Sequence, residues 1–268
     1  MKTSVLSVTY NGEKADRLDA FFASLAAQSR PADEIVLVLD GEVRDELHQV
    51  IAHWSETLPV KLIQAEKKGL ATGLNRGLAE LTGEIVFRAD TDDVNLPERF
   101  RAQAAVLEDP TIAVTSSPIR EITRDGKHQI KAVPEGEIKP WTLYSFFRNP
   151  VNHNCCAFRA GDIRAVGGYT AGRMEDYRLW MTTLVQGKRI VNTTEILLEA
   201  DAGNLAGRRG GRDYFMAEVA LFKLNARRMG YLGAIPAGIS FLLRAPFRSA
   251  WMKSAREFGY AYVFRKNA

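Results

Sequence analysis

Residues 69–100 read GLATGLNRGLAELTGEIVFRADTDDVNLPERF, and the fold turns on how this stretch divides. The pattern predicts a helix near 70–81, a strand at 84–89 (EIVFRA), and directly after the strand three carboxylates within four residues, Asp90, Asp92 and Asp93. Acidic residues at the carboxyl end of a buried strand mean something different from acidic residues in a linker. The elements upstream therefore decide the reading.

Working back from that stretch, TSVLSVTY at residues 3–10 is rich in β-formers and stops at the turn pair Asn11-Gly12. Leu18, Phe21, Phe22 and Leu25 recur at helical spacing between Ala15 and Ser29, and Arg30-Pro31 closes the run. EIVLVL at 34–39 is almost continuously apolar, as a parallel strand covered on both faces requires, and it ends at Asp40-Gly41. A helix near 43–55 and a strand near 60–65 complete the alternation. Such a succession predicts an α/β domain with a mainly parallel central sheet. Ligands of these sheets bind beyond the carboxyl ends of the strands, where Tyr10, Asn11, Asp40 and Asp90 all fall.

Downstream, β-like stretches near 112–123 and 128–133 flank Asp125-Gly126-Lys127, a predicted hairpin turn. No repeat or low-complexity tract interrupts the 268 residues. The two cysteines, Cys155 and Cys156, are neighbours, which excludes an ordinary stapling disulfide between them and any metal-binding cysteine spacing; reduced, buried thiols are expected. Met1-Lys2-Thr3 runs straight into the first strand without a signal-like apolar region, so a cytoplasmic chain is expected.

The net charge of +4 hides a division: residues 1–206 carry 24 basic against 29 acidic side chains, residues 207–268 carry 12 against 3. A basic end of this kind suits a polyanionic partner. Fifteen uncharged residues between Arg228 and Arg244 fall short of a spanning helix, for which about 20 are needed. With Phe241, Leu242, Leu243, Phe247 and Trp251 set among Arg244, Arg248, Lys253 and Arg256, the segment from 212 to 268 reads as two or three helices with an interfacial amphipathic surface. An anionic membrane rather than nucleic acid is the expected partner; a cap on the sheet or a homodimer contact is the alternative use of the same surface.

Three carboxylates this close repel one another, and a hard divalent cation, Mg²⁺ or Mn²⁺, is the compensation that also bridges carboxylate to diphosphate. The plainer alternative is a solvated turn capping the next helix, with Asp93 or Asn95 at the cap and Pro97 in the first turn. Glu175-Asp176 forms a second acidic site ahead of an apolar helical pattern at Tyr177, Leu179, Trp180 and Leu184, and a helix start favours carboxylates in any protein.

The block at 69–100 resembles the glycine, Asn-x-Gly and Asp-x-Asp block of family 2 glycosyltransferases. The resemblance extends through SVLSVTYNGEK, LVLDG, NPVNHNCCAFR, VGGY, EDYRLW and GRRGGRDYF, covering roughly residues 3–215 in the family's order. It implies the GT-A fold over residues 1–206, a Rossmann-like nucleotide-binding domain, with residues 207–268 as a basic loop and helical extension. It also implies an inverting transfer from a nucleotide diphosphate sugar, a UDP-sugar by expectation, to a glycan or lipid-linked glycan in surface polysaccharide assembly. On that likeness Thr9, Tyr10, Asn11 and Glu13 border the nucleotide, Asp40 accepts a hydrogen bond from the base, and Asn75 and Arg76, on the helix after Gly69, face the donor. Asp90 and Thr91 belong with the donor as well. Asp90 and Asp92 hold the metal, and Asp176 is the base, with Glu175 supporting it or touching the acceptor. His153 is a candidate either to complete the metal shell or to contact the acceptor. Arg208 and Arg209, in the loop that also holds Arg212, close over the diphosphate.

Two other readings compete. Asp90-Thr91-Asp92-Asp93-Val94 also fits the acidic element of haloacid dehalogenase-like phosphatases, which place it after their first strand, whereas here three strands are predicted ahead of the one that carries it. A non-catalytic membrane-associated nucleotide-sugar-binding protein would lack the base, and Asp176 is present.

Overall fold

The computed structural model describes residues 1–123, 126–139, 145, 148–201, 212–244 and 266–267, with the backbone alone at 227–233, 243–244 and 266–267. The first half follows the alternation: β1 (Thr3–Thr9), α1 (Ala15–Ala26), β2 (Glu34–Asp40), α2 (Asp45–Ser55), β3 (Val60–Ala65), α3 (Leu70–Glu80) and β4 (Ile85–Arg88). These strands lie parallel in the order β3-β2-β1-β4.

The near-continuous apolar run of β2 has a direct cause. Ile35, Leu37 and Leu39 point into a cluster with Phe21, Phe22, Leu47 and Phe100, while Val36 and Val38 point the other way, toward Leu74, Leu78 and Trp180. Each alternate side chain thus finds a separate core, and both faces of the sheet are covered. Gly77 brings α3 close: a Cβ there would stand 2.3 Å from Leu6 Cδ1.

The second half is more broken. It runs β5 (Val94–Asn95), α4 (Arg99–Val106), β6 (Ile112–Ser116), β7 (Ile119–Ile122), β8 (His128–Lys131), β9 (Gly136–Glu137), a 3₁₀ turn at His153–Cys155, β10 (Cys156–Arg159), α5 (Ala160–Ala165), α6 (Glu175–Val185), β11 (Arg189–Asn192), β12 (Leu198–Asp201), α7 (Arg212–Arg244) and β13 (Lys266–Asn267). β10 enters antiparallel between β4 and β6, completing an eight-stranded sheet β3-β2-β1-β4-β10-β6-β11-β9. β5, β7, β8, β12 and β13 form a second sheet.

Several expectations change. The stretch 112–123 is two strands in two sheets, broken at Ser117-Pro118, where proline cannot donate to a ladder. The predicted hairpin pairs β7 with β8 in the second sheet, and its Asp125 lies outside the described residues. The tail includes a strand, β13, where helices alone were expected. Nor does the acidic run cap a helix: Val94-Asn95 is extended, and α4 begins at Arg99 without a side-chain cap. β4 is the fourth strand, as the comparison with phosphatases requires.

α7 is no straight rod. The ring centroids of Phe215 and Phe241 lie 5.9 Å apart and those of Phe222 and Phe241 5.6 Å apart. Twenty-six residues of straight helix would separate the first pair by about 39 Å. α7 therefore folds back on itself between Phe222 and Phe241, forming two arms. The first arm sends Leu221 into the main core beside α6.

Candidate active site

Asp90 emerges from β4 beside an unusual neighbour. Arg88 is 1% exposed, and its guanidinium makes a close ion pair with the Asp90 carboxylate. Its Nε has no acceptor among the described residues. A second buried arginine, Arg99, donates to the carbonyls of Arg88 and Cys156, and Gln103 donates to the Cys155 carbonyl at 2.9 Å. The carboxyl end of β4 is thereby held from below. Thr91 Oγ1 donates to Glu13 Oε2 at 2.7 Å, fixing the middle of the run to the loop after β1.

Oxygens of Asp90, Asp92 and Asp93 lie within 4.8 Å of one another. Burial, then the negative charge of Asp90 and Glu13, pushes the Asp92 carboxyl up to about 6, although the residue as a whole is exposed. Burial, then Asp90 and Asp92, also raises Asp93, against the opposing amide of Asn154, which donates to Asp93 Oδ2 at 2.6 Å. Arg88 offsets only part of this repulsion. Oxygen donors in such a cluster fit a hard divalent cation.

The second acidic site opens α6. Met174, immediately before it, has φ 61°, the one non-glycine residue with positive φ among the described residues. Strain of this kind persists where surrounding structure over-determines the conformation. Asp176 accepts the Asn149 amide at Oδ2 and the Tyr177 N–H at Oδ1, both at 2.7 Å. Burial, then Asp176, pushes Glu175 up to about 7.

The loop containing 149–154 connects the two sites. Asn152 donates to the Ser117 and Lys131 carbonyls at 2.9 and 3.2 Å, anchoring its centre. His153 does not join the carboxylate cluster; Nε2 faces the Tyr169 hydroxyl at 3.1 Å, and the ring packs near Trp180. Burial, then the Arg88 and Lys131 charges, holds it well below the usual histidine range, hence neutral. The third member of the cluster is Asp93, where the sequence reading expected His153.

The other expected residues are placed as follows. Thr9 is buried with Oγ1 unpartnered among the described residues, while Tyr10 is 49% exposed. Asn11 accepts the Arg44 N–H at 3.0 Å. Glu13 is buried, and its Oε1 accepts the Lys14 N–H. Asp40 accepts the N–H groups of Lys68 and Gly69 at 2.8 and 3.0 Å, ordering the turn into α3. Asn75 donates to the Tyr169 carbonyl and accepts its N–H, at 2.7 and 2.8 Å, so both ends of its amide clasp the turn before α6. Arg76 is exposed and pairs with Glu80. Arg208 and Arg209 lie outside the described residues. Both cysteines are free and buried, and burial pushes Cys156 up to about 12.

Sequence reasoning overlooked Arg88, Asn149 and Asn154. A charge inside the apolar run EIVFRA was the available signal for Arg88; nothing local distinguishes the two asparagines.

A mainly parallel sheet with a carboxylate cluster beyond its fourth strand, facing a second carboxylate pair at a helix start, defines the GT-A glycosyltransferase class. The sequence profile of Glycosyl transferase family 2 matches residues 4–166, and the chain belongs to that family. It is 36% identical over 251 residues to the amylovoran biosynthesis glycosyltransferase AmsE of Erwinia amylovora, covering 91% of this chain and 93% of that protein. It is 33% identical over 224 residues to the Escherichia coli UDP-Gal:alpha-D-GlcNAc-diphosphoundecaprenol beta-1,3-galactosyltransferase, covering 81% of each. Among solved structures, S. aureus TarS 1-349 in complex with UDP-GlcNAc superposes with TM-score 0.70 at 19% identity, over 97% of this chain and 75% of that one. A longer TarS chain is matched over 45% of its length; at such identity the likeness concerns the fold.

Proposed function

We propose that the protein transfers a sugar, with inversion, from a UDP-sugar to a hydroxyl of a lipid-linked glycan during surface polysaccharide assembly. The observation that carries this reading is the separation of labour between two acidic sites: Asp90, Asp92 and Asp93 cluster at one, while Asp176 stands at the other beside Glu175 and bonded to Asn149. A carboxylate committed to a cation is a poor proton acceptor, so the reaction needs both. The relative named for a UDP-galactose donor and a diphosphoundecaprenol-linked acceptor supports the substrate classes.

Thr9, Tyr10, Asn11 and Asp40 would border the nucleotide at the ends of β1 and β2, with Glu13 acting through Thr91 and Asn75 through the turn it clasps. Gly69 shapes the turn into α3, and Arg76 lies on the exposed face of that helix. Asp90 and Asp92, with Asp93, would hold Mn²⁺ or Mg²⁺, which when bound supplies positive charge opposite the donor diphosphate. Asp176 takes the proton of the acceptor hydroxyl as its oxygen bonds to the anomeric carbon; the bond to the diphosphate breaks, and its electron pair leaves with the diphosphate. Glu175 lies beside the base as an acceptor contact. On sequence grounds Arg208 and Arg209 close over the phosphates.

We divide the chain into a catalytic unit, 1–206, and an extension, 207–268, that meets a membrane. No described helix is long and apolar enough to cross one. Ile235, Ile239 and Leu242, at helical spacing on the second arm of α7, are 66%, 49% and 72% exposed, which fits an in-plane contact beside the basic tail.

The test is transfer from UDP-galactose, UDP-glucose and UDP-GlcNAc to a synthetic GlcNAc-diphospho-lipid with Mn²⁺, with the product's anomeric configuration read by NMR. Asp92→Ala is expected to lose cation-assisted donor binding, and Asp176→Asn to keep donor binding and lose transfer. Full transfer by Asp176→Asn removes Asp176 as base. Flotation with anionic and neutral vesicles tests the membrane contact, and a dimer that stays unbound overturns it.

A further inference from the structure

We propose that Asn149 is a positioning residue that sets the plane of the Asp176 carboxylate; the inference rests on the reading of Asp176 as base. The amide of Asn149 has unlike ends, and its two partners fix which is which. Nδ2 donates to Asp176 Oδ2 at 2.7 Å, and Oδ1 accepts the Val151 N–H at 3.2 Å. The reversed amide would set oxygen against carboxylate and NH₂ against N–H, so one orientation alone satisfies both.

Asp176 is gripped on both oxygens, since Oδ1 accepts the Tyr177 N–H. One donor would leave the carboxylate free to rotate about its Cβ–Cγ bond; one on each oxygen defines the plane. Each oxygen keeps a second lone pair, which an incoming hydroxyl can use.

The platform carrying Asn149 is stiff. Pro150 restricts the Asn149 backbone to extended conformations, and the Pro150 carbonyl accepts the Asn192 amide at 2.8 Å. Asn152 anchors the next turn to Ser117 and Lys131, and Asn154 reaches Asp93. One short loop therefore indexes the base to the acidic cluster, the relationship on which the distance between attacking oxygen and anomeric carbon depends.

The bond to Val151 spans two residues and would by itself make Asn149 a turn-former. Asn149→Asp separates the roles, because a carboxylate retains the acceptor for Val151 N–H but offers Asp176 repulsion in place of a donor. With UDP-galactose, Mn²⁺ and the GlcNAc-diphospho-lipid as probes, Asn149→Asp is expected to lower kcat about 100-fold with KM for UDP-galactose unchanged. Added to Asp176→Asn, it should cause no further loss. Independently of turnover, crystal structures of the wild type and Asn149→Asp should show the Asp176 carboxylate rotated in the variant with the 149–151 turn intact. An unrotated carboxylate, or wild-type kcat in Asn149→Asp, overturns the inference while leaving the base in place. Full activity of Asp176→Asn instead removes the base and the inference together.

Discussion

The side-chain amide of Asn154 donates to Asp93 Oδ2 at 2.6 Å, tying a buried carboxylate of the acidic run to the loop that precedes β10. Partners that orient a metal-ligating carboxylate typically govern affinity as well as geometry. Asn154→Ala is therefore expected to weaken Mn²⁺ binding about 10- to 100-fold in calorimetric titrations with UDP present. An unchanged affinity would assign Asn154 to loop structure alone.

Asp92 is the most exposed of the three clustered carboxylates, and the one most readily altered without disturbing the fold. Ligand binding to the native state raises stability by mass action, about 2.7 kcal/mol at a hundredfold excess over Kd. Wild-type protein should show a higher Tm with UDP and Mn²⁺ than with UDP and a chelator. Asp92→Ala should melt alike in both.

Glu175 gives a pH dependence whose sign can be worked out. Its ordinary value is 4.5 and its folded value about 7, so between them the folded chain holds a proton that the unfolded chain releases. Stability therefore falls as pH rises through that window. Asp92 and Asp93, also raised, add to the same slope. In chemical denaturation from pH 4.5 to 7.5, Glu175→Gln should flatten the decline without removing it, and an unchanged slope would mean that Glu175 is ionised like a surface carboxylate.

Gly168 has φ 66°, and a Cβ there would stand 2.6 Å from Asn75 Oδ1. Gly168→Ala meets both left-handed backbone strain and the clasp between Asn75 and Tyr169. A loss of about 1–3 kcal/mol in urea unfolding is expected. Asn75→Ala would relieve the collision but not the backbone term, so the pair should be less than additive.

The first half of the fold was legible because β1 and β2 are long, almost fully buried strands that alternate with amphipathic helices. The run from Ile35 to Leu39 serves two cores at once, which leaves no polar position and so no ambiguity. The second half uses strands of two to five residues whose identity comes from partners distant in sequence: Val94-Asn95 is a strand because Leu198 and Glu199 lie opposite it. The Asp-x-Asp run was visible as chemistry but ambiguous as structure, since Asp is equally at home at a helix cap. Its companion Asp93 became distinct from His153 only when Asn154 and Tyr169 took their places. In the tail, amphipathic spacing announced helices, yet the reversal that joins Phe215 to Phe241 depends on packing between arms.

The antiparallel placement of β10 governs the order in which the molecule can be built. β4 is complete at Arg88, but its second neighbour arrives with residues 156–159, and one of the carbonyls that Arg99 binds belongs to Cys156. During synthesis the β4 edge must wait, unpaired, until more than sixty further residues have emerged. A fragment ending before Asn149 would carry Asp90, Asp92 and Asp93 on an open edge, without the loop that holds Asp93. The acidic cluster and the Asp176 region are thus interleaved in the chain, and a genetic crossover between them would separate neither as a working module.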